Sequence, residues 1–220
     1  MINPDDFAPR NLEDMVIGDA GSKAKLQDIV SNTVPFPAFG KCGILLYGAW
    51  GTGKTTLALM LPDLMEGHRG GSNAASSFHA CAQGGNGAVL MSKIINQAEL
   101  ISFNSSGLHY FVLDEVDNLT KAAQQSLKAV MSYRQSTFIM TTNYITDVDA
   151  GIKSRSYLIQ MDAASPNDWL PLVRRVITAV GAAVPPENIL LPVIANCNGN
   201  ARDIVSAAVR VAVAARRLAA

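Results

Sequence analysis

Short apolar runs alternate with amphipathic stretches along most of the 220 residues. Continuous apolar runs predict four buried strands, and a weaker signal predicts a fifth, over residues 43–47, 110–113, 137–141, 157–161 and 76–79. Apolar residues at helical spacing predict helices over residues 22–30, 55–65 and 121–131. Thr120 is placed to cap the last of these helices. This alternation predicts an α/β domain with a parallel five-stranded sheet.

The strand signals stop at Ser165. Helical spacing follows over residues 168–180 and 201–218, with proline and Asn-Gly breaks between the two stretches. We therefore expect two domains, an α/β nucleotide-binding domain over residues 1–163 and a small all-helical lid domain over residues 164–220.

A glycine- and serine-rich segment covers residues 66–87 and includes the pairs Gly70-Gly71 and Gly84-Gly85. Such a composition is typical of turns and loops. We expect mostly surface loop here, apart from the weak strand signal over residues 76–79.

Charge is balanced, with 18 Lys plus Arg against 18 Asp plus Glu. Apolar residues make up 49% of the chain and charged residues 16%, which is a globular and not a disordered composition. Since there is no global basic field, any nucleic acid must be bound by a local patch or by several subunits together.

The three cysteines are far apart and the three histidines have no ligand spacing, which favours free thiols and gives the histidines no assigned chemistry. Residues 1–10 lack the apolar core of a signal peptide, and no apolar run reaches the roughly 20 residues that span a bilayer. We expect a soluble intracellular protein, cytoplasmic or nuclear, with no membrane partner.

Residues 48–55 (GAWGTGKT) match the phosphate-binding pattern GxxxxGK[ST] in full, between a predicted buried strand and a predicted helix. Glycines allow successive backbone N–H groups to point at phosphate oxygens, and the helix N-terminus favours negative charge. Lys54 should reach the β- and γ-phosphates of ATP, and the Thr55 hydroxyl should bind Mg²⁺. The expected nucleotide-binding residues here are Gly48, Trp50, Gly51, Thr52, Gly53, Lys54, Thr55 and Thr56.

A second acidic motif ends the strand predicted over residues 110–113. Asp114 should lie beside the phosphate loop and hold Mg²⁺ through water. Glu115 is placed to polarise the water that attacks the γ-phosphate. The alternative is an ordinary solvated acidic turn, which the upstream phosphate loop disfavours.

With these two motifs, the chain resembles AAA+ ATPases of the clamp-loader type, especially the small subunits of replication factor C and their phage and archaeal relatives. The resemblance runs from about residue 7 to residue 210. Its motifs, besides the phosphate loop, are residues 11–18 (NLEDMVIG), 113–117 (LDEVD), 123–127 (AQQSL), 141–144 (TTNY), 154–156 (SRS) and 199–202 (GNAR).

The resemblance implies further site residues. Asn143 resembles sensor 1, which orients the attacking water or contacts the γ-phosphate, and Arg202 resembles sensor 2 in the lid. Arg155 resembles the arginine finger that enters a neighbouring subunit's site. Val16 and Ile17 match the residues that pack on adenine. A turn-forming asparagine, a surface arginine and a solvated helix surface remain the respective alternatives for Asn143, Arg155 and Arg202.

The chain departs from the family pattern in three places. Residues 7–9 lack the arginine that usually precedes the Leu-Glu-Asp stretch, Ser156 replaces the cysteine of the finger motif, and residues 66–87 are unusually rich in glycine. The third, helical collar domain of clamp-loader subunits is also absent from these 220 residues. We therefore expect either a fragment or a minimal branch of the family.

Three functions remain open at this stage. The first is an ATP-hydrolysing subunit that works with neighbouring AAA+ subunits, primer–template DNA and a sliding clamp. The second is another AAA+ task with the same chemistry, such as helicase loading or transposition regulation. The third is a nucleotide-gated scaffold with little hydrolysis. For DNA, Lys93 and Lys121 are predicted near helix starts, although solvated lysines are the commoner explanation.

Overall fold

The computed structural model describes residues 7–82, 87–133 and 135–219. Within them, five strands form one parallel sheet in the order β2-β3-β4-β1-β5. The strands are β1 (Gly43–Tyr47), β2 (Ser76–Ala80), β3 (His109–Asp114), β4 (Ser136–Thr142) and β5 (Ser156–Gln160). The predicted parallel five-stranded sheet is confirmed, and each predicted strand overlaps an observed one.

Eight helices accompany the sheet in the described part of the chain. They are α1 (Ala20–Val30), α2 (Lys54–Gly67), α3 (Gly87–Ala98), α4 (Lys121–Val130), α5 (Ala150–Ser154), α6 (Pro166–Ala179), α7 (Glu187–Ala195) and α8 (Ala201–Ala219). Thr120 caps α4 as expected, because its side chain accepts a hydrogen bond from the Ala123 N–H at 3.2 Å. None of the helices in the described ranges is both long and apolar enough to cross a membrane.

The loop predicted over residues 66–87 is shorter than expected. Helix α2 continues to Gly67, β2 occupies Ser76–Ala80, and α3 begins at Gly87. The Gly84-Gly85 pair lies outside the described residues, and so do residues 1–6, the first part of the segment that lacks the apolar core of a signal peptide. Strand β2 gave a weak signal because it is an edge strand whose side chains are half-buried or exposed in alternation.

The centre of the sheet is buried on both faces. All residues of β4 are buried, and the Phe111 and Phe138 rings of neighbouring strands stack with centroids 5.3 Å apart. Leu45 and Leu127 belong to the same apolar cluster, which joins the sheet to α4. This burial explains why β1, β3 and β4 are continuous apolar runs in the sequence.

Contacts divide the chain into two compact units. The sheet unit comprises residues 20–48 and 54–161, and the helical unit comprises residues 7–19, 49–53 and 162–219. The helical unit has its own apolar core, which includes Phe7, Trp169, Val176, Ile177 and Ile204. The domain boundary predicted at residues 163 and 164 stays a prediction.

Candidate nucleotide-binding site

The carboxyl ends of three neighbouring strands bring the predicted magnesium ligands together. Thr55, in the first turn of α2 after β1, donates a hydrogen bond from Oγ1 to Asp114 Oδ1 at 2.9 Å. Asp114 ends β3, and β4 lies between β3 and β1. Parallel strands end at one edge of a sheet, so residues 59 positions apart in the chain become hydrogen-bonding partners.

Thr141 is a site residue that the sequence reasoning missed. Its hydroxyl donates to Asp114 Oδ1 at 2.6 Å and accepts a hydrogen bond from the Glu115 N–H at 2.9 Å. The side chain is almost fully buried. Thr141 therefore fixes both acids relative to β4, although in the sequence it looks like an ordinary strand residue.

Lys54 lies at the N-terminus of α2, where it was predicted. Its ammonium donates a hydrogen bond to the Gly48 carbonyl oxygen at 3.0 Å, across the phosphate loop. The first N–H groups of α2 have no partner within the helix, so this end favours an anion. The Lys54 ammonium and the N-terminus of α2 thus both lie beside the phosphate loop.

The outer part of the phosphate loop, residues 49–53, groups with the helical unit. The Ala201 N–H at the start of α8 donates to the Gly51 carbonyl at 2.8 Å, and Thr52 Oγ1 donates to the Ala49 carbonyl at 2.9 Å. Gly51 has a φ of +75°, and a Cβ there would overlap the Asn200 side chain. Glycine is therefore favoured at residue 51 by its backbone conformation, and any other residue would also have to displace the Asn200 side chain.

Glu115 has a left-handed backbone, with φ 58° and ψ 55°. Its side chain is exposed, and its Oε2 accepts a hydrogen bond from Asn118 Nδ2 at 3.1 Å. A positive φ is uncommon for a residue with a side chain and costs on the order of 1 kcal/mol or more. The neighbouring hydrogen bond from its N–H to Thr141 helps to keep this conformation.

The remaining predicted residues on this edge are Asn143 and Thr56. Asn143 directly follows β4 and is half-buried, which places it next to the strand that ends in Asp114. Thr56 is exposed in the first turn of α2.

Arg155 lies at the opposite end of the strands, where they begin, which we call the amino edge of the sheet; the end that bears Asp114 is the carboxyl edge. It directly precedes β5, whose first residue, Ser156, pairs with Gly43 at the start of β1. The phosphate loop follows the other end of β1, so the five residues of this strand separate the two by roughly 16 Å at about 3.3 Å per residue. The Arg155 guanidinium donates to the Gly151 carbonyl at 3.0 Å. The fold therefore does not bring Arg155 to the acids of its own chain.

Three predicted residues lie in the helical unit. Val16 packs against the apolar core of that unit, and Ile17 is buried. Arg202 is exposed in the first turn of α8, and its N–H donates to Asn200 Oδ1 at 3.0 Å.

The acid-bearing edge suits a hard divalent cation. Thr55 supplies a hydroxyl oxygen and Asp114 a carboxylate oxygen, the ligand types that Mg²⁺ prefers, and they are already in hydrogen-bonding contact. Burial, together with the charges of Asp114, Asp117 and Glu115, raises the pKa of the Cys81 thiol to about 12. Burial is the larger cause and the three acids add to it, so the thiol stays protonated at neutral pH.

One prediction about DNA-contacting lysines is wrong in position. Lys93 lies in the middle of α3, not near its start, because the helix already begins at Gly87. Lys121 is the first residue of α4, as predicted, and both lysines are exposed.

A phosphate loop after a central parallel strand, with an acidic strand end beside it, defines a P-loop nucleotide-binding protein of the α/β class. The family model for ATPases associated with various cellular activities (AAA) matches residues 44–162, more than half of the chain. The chain belongs to this family.

The chain is also similar in sequence to replication factor C subunits. It is 28% identical to replication factor C small subunit 2 of Pyrobaculum islandicum over 82% of this chain and 54% of that protein. It is 31% identical to the P. arsenaticum protein of the same name, over 70% and 46%, and 29% identical to subunit 3 of Schizosaccharomyces pombe, over 82% and 51%. The predicted resemblance to replication factor C is confirmed. The chain spans about half the length of these curated relatives.

Solved structures show the same fold at lower identity. The RuvB Holliday junction branch migration motor of Thermotoga maritima matches with a TM-score of 0.65 and 16% identity, over 94% of this chain and 64% of that one. PCH-2 of C. elegans matches with a TM-score of 0.59 and 13% identity, over 98% and 74%. At such identities the likeness concerns the fold alone.

Proposed function

We propose that this chain binds Mg-ATP at the carboxyl edge of its sheet and hydrolyses it as one subunit of an AAA+ assembly of the clamp-loader type. The observation that carries the proposal is the contact of Thr55 with Asp114, 2.9 Å apart, beside the helix start that bears Lys54. Two motifs that are far apart in the sequence thus form one site.

Binding of the triphosphate rests on the phosphate loop. Backbone N–H groups of residues 48–55 surround the phosphate oxygens, and Lys54 exchanges its bond to the Gly48 carbonyl for the β- and γ-phosphates. Thr55 and Asp114 would hold a Mg²⁺ ion, which would neutralise phosphate charge.

Hydrolysis needs a base for the attacking water. In the proposal, Glu115 accepts the proton, and Asn143 orients the water or contacts the γ-phosphate. Thr141 acts indirectly, because it forms hydrogen bonds with both the Asp114 carboxylate and the Glu115 N–H. It is a positioning residue for both acids.

Arg155 acts on the site of a neighbouring subunit. Within its own chain it lies at the amino edge of the sheet, roughly 16 Å from the phosphate loop, beyond the reach of an arginine side chain. A guanidinium placed there can neutralise transition-state charge only across an interface. The subunits therefore assemble head to tail.

The helical unit supplies the remaining nucleotide contacts in this proposal. Arg202 reports the γ-phosphate to the lid, and Val16 and Ile17 pack on adenine. We retain the division into a nucleotide-binding domain over residues 1–163 and a lid over residues 164–220 as part of the proposal.

Primer–template DNA and a sliding clamp are the partners we propose, on the basis of the similarity to replication factor C small subunits. Another AAA+ task on DNA, such as helicase loading or transposition regulation, uses the same site chemistry. A scaffold with little hydrolysis is disfavoured because both Glu115 and Arg155 are present.

Two variants test the site itself. Lys54→Ala should abolish binding of Mg-ATP in calorimetry, whereas Glu115→Gln should bind normally and lose turnover. Tight binding by Lys54→Ala would remove the phosphate-loop assignment, and an unchanged rate for Glu115→Gln would remove the base. Light scattering with and without ATP and primed DNA, beside the ATPase rate, then separates the two remaining cases: a motor should show both assembly and stimulated hydrolysis, whereas a nucleotide-gated scaffold should show little hydrolysis whether or not it assembles.

A further inference from the structure

A strained turn lies beside Arg155. Ala38 and Lys41 exchange two backbone hydrogen bonds of 3.0 and 2.8 Å, and the two residues between them, Phe39 and Gly40, have φ angles of 53° and 75°. Two successive residues with positive φ form a type I′ turn, for which Asn-Gly is the favoured sequence. Phenylalanine in the first place is unfavourable, because bulky residues rarely adopt a positive φ.

The turn presents its aromatic ring to solvent. Phe39 is 88% exposed, although phenylalanine is among the residues most often buried. Together with Met131, Tyr133 and Arg155 it lines a cleft of about 600 Å³. An exposed aromatic residue on a rigid turn, next to an arginine, has the composition of an interface anchor.

The same segment fixes the backbone of Arg155. Lys41 Nζ donates to the carbonyls on either side of it, to Ser154 at 3.0 Å and to Ser156 at 2.9 Å. The N–H groups of Cys42 and Gly43 both donate to the Arg155 carbonyl at 3.0 Å. This segment and the backbone around Arg155 are therefore held together by four hydrogen bonds.

Groups of opposite charge lie at the two edges of the sheet, with Lys41 and Arg155 at the amino edge. Among the described residues, no carboxylate forms an ion pair with Lys41 or Arg155. The carboxyl edge carries Asp114 and Glu115, and would add the phosphates of ATP. Complementary surfaces on opposite edges of one chain fit a head-to-tail contact with a second copy.

We propose that Phe39 is the aromatic anchor, and Lys41 the positioning residue, of the interface through which one copy of this chain presents Arg155 to the phosphate-binding edge of a second copy. This inference rests on the proposed action of Arg155 across an interface. It adds the residues that seat and orient that arginine.

The test uses mixtures of two inactive variants. Arg155→Ala chains keep a complete acid edge but lack the finger, and Glu115→Gln chains lack the base but can donate Arg155. Mixing them should restore ATP hydrolysis. An absence of rescue would overturn the action of Arg155 across an interface, and this inference with it.

Phe39→Asn is then added to one partner at a time. In the Arg155-donating chain it should reduce rescue by at least about tenfold, whereas in the Arg155→Ala chain the effect should be much smaller. Undiminished rescue, or an equal loss in both placements, would overturn the role of Phe39 while leaving the finger intact. Phe103→Asn is the matched control. Phe103 is 98% exposed in the segment before β3, which β4 and β1 separate from β5, so its substitution should not affect rescue.

Thermal unfolding separates this role from a structural one. Because Asn-Gly suits the type I′ turn better than Phe-Gly, Phe39→Asn should keep or raise the melting temperature while rescue falls. Lys41→Met in the donor should also reduce rescue, and Lys41→Arg, which can still donate to both carbonyls, should recover most of it. If Lys41→Met in the donor leaves rescue unchanged, Lys41 has no positioning role.

Discussion

The two edges of the sheet differ in how completely their polar groups are hydrogen-bonded within the chain. At the carboxyl edge, Thr55, Asp114, Thr141 and the Glu115 backbone are hydrogen-bonded to one another within a single chain. At the amino edge, the Arg155 backbone accepts two hydrogen bonds, and its guanidinium donates one to the Gly151 carbonyl of the preceding helix.

The difference shows which edge is complete without a partner. The carboxyl edge has a preorganised set of polar groups, as a binding site for phosphate and metal requires. The amino edge presents a cation and an exposed aromatic ring without an acidic partner among the described residues. We therefore expect substitutions at the amino edge to reduce turnover and leave nucleotide binding unchanged, whereas substitutions at the carboxyl edge can affect either quantity.

The largest effect should come from Arg155→Ala. Turnover of the assembled protein should fall by about 10³–10⁵-fold, while the dissociation constant of Mg-ATP changes little, because the arginine acts on another subunit's transition state. Steady-state ATPase assays and calorimetry measure the two quantities. Arg155→Lys, which keeps the charge but loses the planar fork, should restore only a small part of the rate. Full activity of Arg155→Ala would contradict the comparison between the edges.

Thr141→Val should have the next largest effect. Losing the hydroxyl leaves the Glu115 N–H without its side-chain acceptor and removes a donor from Asp114. We expect kcat to fall by about 10–100-fold, equivalent to about 1.4–2.7 kcal/mol, with ATP binding retained. Thr141→Ser keeps the hydroxyl and serves as the matched control. A normal kcat in Thr141→Val would show that the acids do not depend on β4.

A buried acid near the amino edge should behave as a structural group. Glu66 is fully buried and accepts hydrogen bonds from the hydroxyls of Tyr110, at 2.6 Å, and Ser106. Burial opposes ionisation, but the hydrogen bonds from Ser106 and Tyr110 prevail and lower the pKa of the Glu66 carboxyl. Glu66→Gln should cost about 1–3 kcal/mol of unfolding free energy at pH 7.

The pH dependence of that loss follows from the direction of the shift. A lowered pKa in the folded protein means that the stabilisation is present above the unfolded pKa, near 4.3, and is lost as pH falls through the folded pKa. Urea unfolding at pH 7 and at acidic pH should therefore show a gap between wild type and Glu66→Gln that narrows at low pH. A gap that stays constant with pH would indicate lost packing instead of lost charge.

The smallest effect should be spectroscopic. Of the two tryptophans, Trp50 in the phosphate loop is 63% exposed and Trp169 in the helical core is 4% exposed. Iodide should quench mainly Trp50, and Mg-ATP should reduce that quenching if the loop closes on phosphate. Trp50→Phe removes the signal and provides the control. Quenching that ATP leaves unchanged would argue against contact between the nucleotide and this part of the loop.

The carboxyl edge was largely predictable because its residues lie in contiguous motifs. Lys54 and Thr55 follow an apolar strand in a fixed pattern, and Asp114 and Glu115 end another. Thr141 was not predictable in the same way. Its role depends on β4 pairing with β3, and threonine in a strand is commonplace.

The helices show where local signals were overruled. Helix α7 contains Pro192 and follows two further prolines, so the sequence favoured a break. The burial of Leu190 and Ile194 in the helical core outweighs that preference. Likewise, Phe39 could not be singled out from the sequence, since its exposure and positive φ appear only once the chain is folded.

The left-handed backbone of Glu115 has a consequence for protein engineering. Asparagine or glycine would adopt this conformation at lower cost, so a search for heat-resistant variants would tend to select replacements at residue 115. Each such gain would remove the carboxylate proposed to accept a proton from water. A more thermostable variant obtained in this way would be inactive in ATP hydrolysis. Thermostability screens of this protein therefore need an ATPase assay beside them.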